Sequence, residues 1–320
     1  MSAGDMVRVG VIGRGFGERV VAAAFGGTEG CEVVEVVSPR DAAAVGTLCQ
    51  RDDVDLISVH SPPFMHVDHV RQAVDAGHAV LCDKPFGRNA VEASQMLELA
   101  RSAGVQHFLN FENRHDATRQ KVRSLLAEGA VGQPEHVQLS TLMSIARPVR
   151  RFRWTFDAEC GGGWLRALGS HLIDFTRWTF GEITEASGQL RTVVTERPDS
   201  DGNLQRCTAD DGFLAVLRTA DNVTAVIDSS SASPVDLPPR AVIVGAEGAL
   251  EVEAESRITL HTPSGAEQVW ATDGSANALF VAMQAWAGVV CAAVREGATP
   301  PDAATFADGL ACNEVMDRIG

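Results

Sequence analysis

The chain has no tyrosine, which removes every mechanism whose proton donor or acceptor is a phenol. Lysine is nearly absent too: Lys84 and Lys121 stand against 25 arginines. A chain that otherwise uses arginine for positive charge points, at a retained lysine, to proton chemistry that arginine's permanent charge cannot perform. The seven cysteines (31, 49, 82, 160, 207, 291 and 312) form no CxxC pair. Odd in number and scattered, behind a start (MSAGDMVRVG) with neither a basic region nor an apolar h-region, they read as separate reduced thiols of a cytoplasmic protein. The formal charge of −15 with no basic stripe argues against a nucleic-acid surface. No apolar run reaches the roughly 20 residues that cross a bilayer, so no membrane span is expected. The most apolar stretch, Ala278 to Val294, is broken by Gln284, is followed by Arg295, and reads as a buried helix.

What is present is ordinary globular composition, 45% hydrophobic and 22% charged over 320 residues, enough for two cores. Short apolar runs at 7–12, 33–37, 56–60, 79–82 and 106–110 alternate with amphipathic stretches near 16–26, 41–50, 65–76 and 90–103. That alternation predicts an α/β fold, with a Rossmann-type parallel sheet wrapped by helices over 1–116. Gly77 and Gly104 stand where the last two helices should stop. Over 117–320 the texture differs. A helix near 117–128, stopped at Gly129, precedes strands near 136–143, 186–194, 212–218, 223–229, 240–244, 250–252 and 258–261, and helices near 276–295 and 303–318 close the chain. Consecutive strands with short turns predict an α+β domain built on a large, mainly antiparallel open sheet.

Five stretches carry chemistry. In Val7-Arg-Val-Gly-Val-Ile-Gly-Arg-Gly-Phe-Gly17 a buried strand runs into glycines 13, 15 and 17 and then a helix, the arrangement in which backbone approaches a pyrophosphate. Position 18, where a small residue is usual, holds Glu18, whose carboxylate should point away from a phosphate. At the end of the second strand, where NAD enzymes place a carboxylate for the ribose, stand Ser38 and Arg40; this favours the 2′-phosphate of NADP over NAD, with Asp41 the alternative ribose contact. His60-Ser-Pro-Pro-Phe-Met-His66 follows the third strand, and its His66 and His69 read as helix-end histidines rather than a metal pair. Lys84, in Asp83-Lys84-Pro85, ends the fourth strand, where ligands of such sheets bind. Finally, Gly161-Gly162-Gly163 opens a helix bearing His171 and Asp174 one turn apart.

In order and spacing these residues resemble the Gfo/Idh/MocA family, named after glucose–fructose oxidoreductase, inositol dehydrogenase and a rhizopine-catabolism protein. The resemblance takes in the glycine loop, Pro62-Pro63…His66, Asp83-Lys84-Pro85, Asn113-Arg114-His115-Asp116, Gly161-Gly162-Gly163…Gly169-Ser170-His171…Asp174 and Phe306-Ala-Asp-Gly309. It implies hydride transfer between nicotinamide and a hydroxyl or carbonyl carbon of a sugar, cyclitol or similar polyol. It implies Lys84 and His171 as the catalytic pair and a cis Lys84–Pro85 peptide. The cofactor would lie against Gly13, Gly15, Phe16, Gly17, His60, Ser61, Pro62, His66, Asp83, Lys84, Pro85 and Arg114, besides Ser38 and Arg40. The substrate would meet Lys84, Arg114, Arg153, Trp154, His171 and Asp174, and no metal is expected. Homodimers or homotetramers through the C-terminal sheet are implied as well. Three departures stand out. Ala167 replaces an aspartate usual four residues before the histidine, Asp83 replaces a glutamate, and about 17 residues from Ser38 to Asp55 leave no room for a helix and strand usual there. Ala167 motivates a second reading, a non-catalytic nucleotide-binding regulator on the same scaffold; a third is a reductase of a non-sugar carbonyl or imine.

Overall fold

A computed structural model describes residues 6–273 and 277–320. The opening residues 1–5 and residue 276, the expected first residue of the penultimate helix, lie outside the described residues. The chain forms two compact units, one of 1–115 with 277–313 and one of 116–276 with 314–320.

The first unit begins β1 (Val7–Ile12), α1 (Ala23–Gly26, entered through a wide turn over Gly17–Ala22), β2 (Cys31–Val37), α2 (Ala42–Cys49) and β3 (Leu56–Val59). It continues α3 (His66–Asp75), β4 (Ala79–Cys82), α4 (Ala90–Ala103) and β5 (His107–Leu109). All pairings in its sheet are parallel, in the order β2-β1-β3-β4-β5. Strands β3 and β4 are apolar and almost wholly buried, as expected of a sheet covered on both faces. The chain leaves β1 on one side for β2 and returns on the other for β3, so the winding reverses between β1 and β3, where such folds take ligands. With α2 ending at Cys49 and β3 starting at Leu56, the short segment seen in the sequence leaves β2 at the sheet edge. Exposed Glu32 and Glu35 charge that edge, and Glu35 pairs with Arg51 at 2.9 Å.

The first unit also takes in α7 (Ala278–Glu296) and the first half of α8 (Phe306–Ile319). By length and composition α7 is apolar enough to cross a membrane. Here one face, with Ala282, Met283, Trp286 and Val290, is buried against α1 and residues 112–115, and His115 stacks on Trp286 at 5.2 Å. That return also joins Cys31 and Cys291, read above as separate thiols, in a disulfide with Cα atoms 6.4 Å apart. The pair spans 260 residues, a separation at which cysteine spacing carries no signal.

The second unit holds α5 (Ala117–Ala127), β6 (Pro134–Leu142), α6 (Ser170–Phe180, entered through Leu165–Gly169) and β7 (Ile183–Arg191). Next come β8 (Glu196–Pro198), β9 (Leu204–Arg206), β10 (Gly212–Thr219), β11 (Thr224–Ser230) and β12 (Leu237–Gly245). Strands β13 (Ala249–Glu253), β14 (Arg257–Thr262) and β15 (Gly265–Ala271) follow. Eight of these form one sheet, β15-β14-β13-β12-β6-β11-β10-β7, antiparallel except for β6 with β11. Strand β10 shows its logic: Phe213, Ala215 and Leu217 face the core while Leu214, Val216 and Arg218 face out. The β8–β9 hairpin and β15 escape the sequence reading because they are short or carry little apolar alternation.

Candidate active site

In the first unit each parallel strand delivers one site residue from its C-terminal end: Gly13, Ser38, His60, Asp83 and Asn110 directly follow β1 to β5. The glycine loop is shaped by His60. Gly13 sits at φ +154°, and a Cβ there would stand 2.8 Å from the His60 carbonyl oxygen; at Gly17 it would stand 2.9 Å from His60 Cβ. Gly15 is different, since a Cβ there would meet nothing within 4 Å, so its backbone fronts open space. Phe16 leads into the helix without a side-chain cap, which leaves the first amides of that helix free of a side-chain acceptor. Glu18 pairs with Arg14 of the same loop at 3.4 Å, both exposed.

His60 also organises the lysine loop. Its ring is enclosed, with Nε2 2.7 Å from Ser58 Oγ and Nδ1 3.1 Å from Asp83 Oδ2. Asp83 Oδ1 accepts from the Lys84 amide at 2.9 Å and from Asn110 Nδ2 at 3.2 Å. Burial alone would raise the Asp83 carboxyl, but the charge and hydrogen bond of His60, with Lys84 and Asn110, hold it below the usual carboxylate value. Lys84 leaves this fixed carboxylate through a Lys84–Pro85 peptide that is cis.

His66, Ser61 and Arg114, grouped with the cofactor above, each have partners within the protein. His66 is fully buried, with Nδ1 3.0 Å from the Phe86 carbonyl and Nε2 2.7 Å from that of Ser61. Between these two carbonyls the ring braces the Ser61-Pro62 turn. Ser61 Oγ is engaged as well, by His69 Nδ1 at 2.9 Å, and burial drives the His69 ring down to about 4. Arg114 is buried and donates to Asp308 at 2.8 Å, which satisfies its charge inside the first unit. The same Phe306–Gly309 segment stacks Phe306 on His107 and packs it at a tilt against Phe86, and a Cβ at Gly309 would stand 2.6 Å from the Phe86 ring. Ser38 lies past the edge strand with its hydroxyl 3.4 Å from the Arg40 amide, while Asp41 caps α2 by accepting from the Ala44 amide at 3.0 Å.

In the second unit the triple glycine is a packing device. A Cβ at Gly162 would stand 2.5 Å from the Trp154 carbonyl, and one at Gly163, where φ is +118°, would stand 2.2 Å from Asp210 Oδ1. Asp210 Oδ2 accepts from the amides of Trp164 and Leu165 at 3.1 and 2.9 Å, capping the helix that carries His171. Burial pushes the Asp210 carboxyl up to about 6, against the pull of those amides. Sequence reading missed Asp210; the one signal available was the glycine run, which needs a close neighbour. His171 and Asp174 are both buried on α6. Trp154 is half-buried, and exposed Arg153 donates through Nε to Thr155 Oγ1 at 3.0 Å.

Residues 7–111 match a family model described as an oxidoreductase family with an NAD-binding Rossmann fold, and 119–251 match the GFO/IDH/MocA C-terminal domain. An uncharacterized oxidoreductase of Synechocystis sp. is 31% identical over 250 residues, 72% of this chain and 67% of that protein. D-apiose dehydrogenase of Paraburkholderia graminis is 30% identical over 238 residues, 71% of this chain but only 57% of that protein's length. Among solved structures, an oxidoreductase domain protein from Kribbella flavida superposes with a TM-score of 0.85 at 24% identity, covering 98% of this chain and 95% of the other. Levoglucosan dehydrogenase in complex with NADH and levoglucosan gives 0.87 at 19% identity over the same shares, a likeness of fold.

Proposed function

The chain belongs to the Gfo/Idh/MocA oxidoreductase family, and on that premise we propose that it moves a hydride between a nicotinamide cofactor and a hydroxyl or carbonyl carbon of a sugar, cyclitol or similar polyol. The observation that carries this reading is the convergence of Gly13, Ser38, His60, Asp83 and Asn110 at the C-terminal edge of one parallel sheet. The residues fit the cofactor: open space at Gly15 and an uncapped helix start suit a pyrophosphate held by backbone amides. Bound nicotinamide supplies the hydride acceptor or donor. Lys84, oriented by Asp83, hydrogen-bonds the reacting oxygen, and His171 carries its proton; general acid–base help of this kind is worth about 10²–10⁴ in rate. Pro62 and Pro85 shape the loops beside the cofactor, and Trp154 and Asp174 complete the substrate contacts. NADP is preferred, because Asp41 is spent on capping α2 and Ser38 with exposed Arg40 is left for the 2′ position. Self-association uses the outer face of the large sheet, where Leu214 and Val216 are each 42% exposed.

Titration with NADPH and NADH, followed by nicotinamide fluorescence, tests the first half of this. Selective binding of NADPH supports the Ser38 and Arg40 assignment, preference for NADH overturns it, and binding of neither overturns the enzyme reading. A screen of polyols and ketosugars for cofactor-linked absorbance change then separates a dehydrogenase from a nucleotide-binding regulator.

A further inference from the structure

Residues 147–153 read Arg-Pro-Val-Arg-Arg-Phe-Arg, four arginines in seven residues of a chain with 42 acids. A fifth, Arg197 of β8, is buried among them. It donates to the carbonyls of Ala146 and Pro148, and its guanidinium lies 4.0 Å from the centre of the Phe156 ring. Arg153 lies over the same ring at 5.7 Å. Many arginines elsewhere sit against acids, as in Arg8–Asp55, Arg119–Glu255 and Arg166–Asp317. Among the described residues, none of the five has a carboxylate within ion-pair distance. Burial, then Arg150 and Arg197, lower the Arg153 pKa, and no acid offsets them.

The backbone that carries these arginines is fastened at several points. The Phe152 amide donates to the Pro198 carbonyl at 2.7 Å, and the amides of Thr208 and Ala209 donate to Phe156. The Gly162 and Gly163 amides donate to Asp157 and Thr155, which fastens the cluster to the start of the helix bearing His171. Guanidinium forks match carboxylate and phosphate oxygens two at a time, and an anion would relieve the repulsion among them. A neutral sugar offers nothing to do so.

We propose that Arg150, Arg153 and Arg197 bind an anionic group of the substrate, which makes that substrate a sugar acid or sugar phosphate rather than a neutral polyol. The sugar part of this statement rests on the dehydrogenase reading above; the anion site rests on the arginines alone. Calorimetric titration with D-glucose, D-glucuronate and D-glucose 6-phosphate, which differ only at C6, tests it. One charged ligand should bind at least about tenfold tighter than glucose, the better of the two naming carboxylate or phosphate. The doubly substituted Arg150→Gln, Arg153→Gln protein, altered only at exposed residues and expected to keep its melting temperature, should lose that preference. Equal binding of all three, binding of none, or a preference that survives the substitutions overturns the proposal. An intact charge preference without cofactor-linked turnover sinks the dehydrogenase reading alone; turnover of neutral polyols without charge preference sinks the anion site alone.

Discussion

Asp83 in the first unit and Asp210 in the second are both drawn out of water, and both accept hydrogen bonds from N–H groups, yet their protons are held in opposite senses. Asp83 faces His60, Lys84 and Asn110, which together outweigh burial and hold its carboxyl below the usual carboxylate value. Asp210 meets chiefly the amides of Leu165 and Trp164, and burial wins, raising it to about 6. The same contrast runs through the arginines. Arg114 of the first unit is buried against Asp308, whereas Arg197 of the second is buried against carbonyls and an aromatic ring. The second unit also pairs arginines with acids, as in Arg119–Glu255 and Arg166–Asp317; it is at Arg150, Arg153 and Arg197 that the proposal above leaves charge to be met by a ligand.

The largest expected effects cross the comparison. Lys84→Ala and His171→Ala should each lower kcat on the best substrate of the screen by about 10²–10⁴. If both serve one step, the double variant should be far less impaired than the product of the two losses. Full turnover by Lys84→Ala would falsify its role. Next is stability. Arg114→Ala removes a buried cation from its ion pair with Asp308 and should cost about 3 kcal/mol in denaturant unfolding, while Arg153→Ala, which breaks no ion pair, should stay within about 0.5 kcal/mol. Equal losses would break the distinction between neutralised and waiting charge.

Legibility followed locality. The glycine loop and the lysine loop were readable because a buried strand, its turn and the next helix are contiguous, so period and punctuation suffice. The Arg114–Asp308 pair spans 194 residues and the Cys31–Cys291 pair 260; neither periodicity nor spacing encodes which distant side chains meet. That the His66 ring is buried between the carbonyls of Ser61 and Phe86 is likewise absent from the local pattern, since Phe86 lies 20 residues on. Asp210 lies 46 residues from the Trp164 amide it caps, in an acidic doublet that looks like any strand entry. The arginine arm was visible in the sequence, but its buried member, Arg197, was not.

Two glycines sharpen the case for a preassembled first unit. Gly13→Ala puts a Cβ 2.8 Å from backbone at a φ of +154°, so the fold itself should lose about 1–3 kcal/mol, seen in a lower melting temperature. Gly15→Ala meets nothing within 4 Å and should melt as the parent does, yet weaken NADPH binding by filling the space beside the loop. A Gly15→Ala protein that binds NADPH normally would move the pyrophosphate elsewhere.

The smallest effect tests the opening contrast by its sign. Asp83 has a folded pKa below its unfolded value of about 3.9, so its contribution to stability is complete above that pH and is lost as pH falls through the folded value. Asp210 has a folded pKa raised to about 6, so the folded state keeps its proton longer; stability is greatest below about 4 and declines as pH rises through 6. Asp210→Asn keeps an oxygen for the Trp164 and Leu165 amides but cannot ionise. Relative to the parent it should gain roughly 1 kcal/mol between pH 4 and 7, after allowance for its partial exposure. Asp83→Asn should fall behind the parent as pH rises from the acid side to about 4. Unfolding curves across this range should therefore give difference plots of opposite slope. Parallel slopes would mean that the two carboxylates are held alike, and the contrast between them would fail.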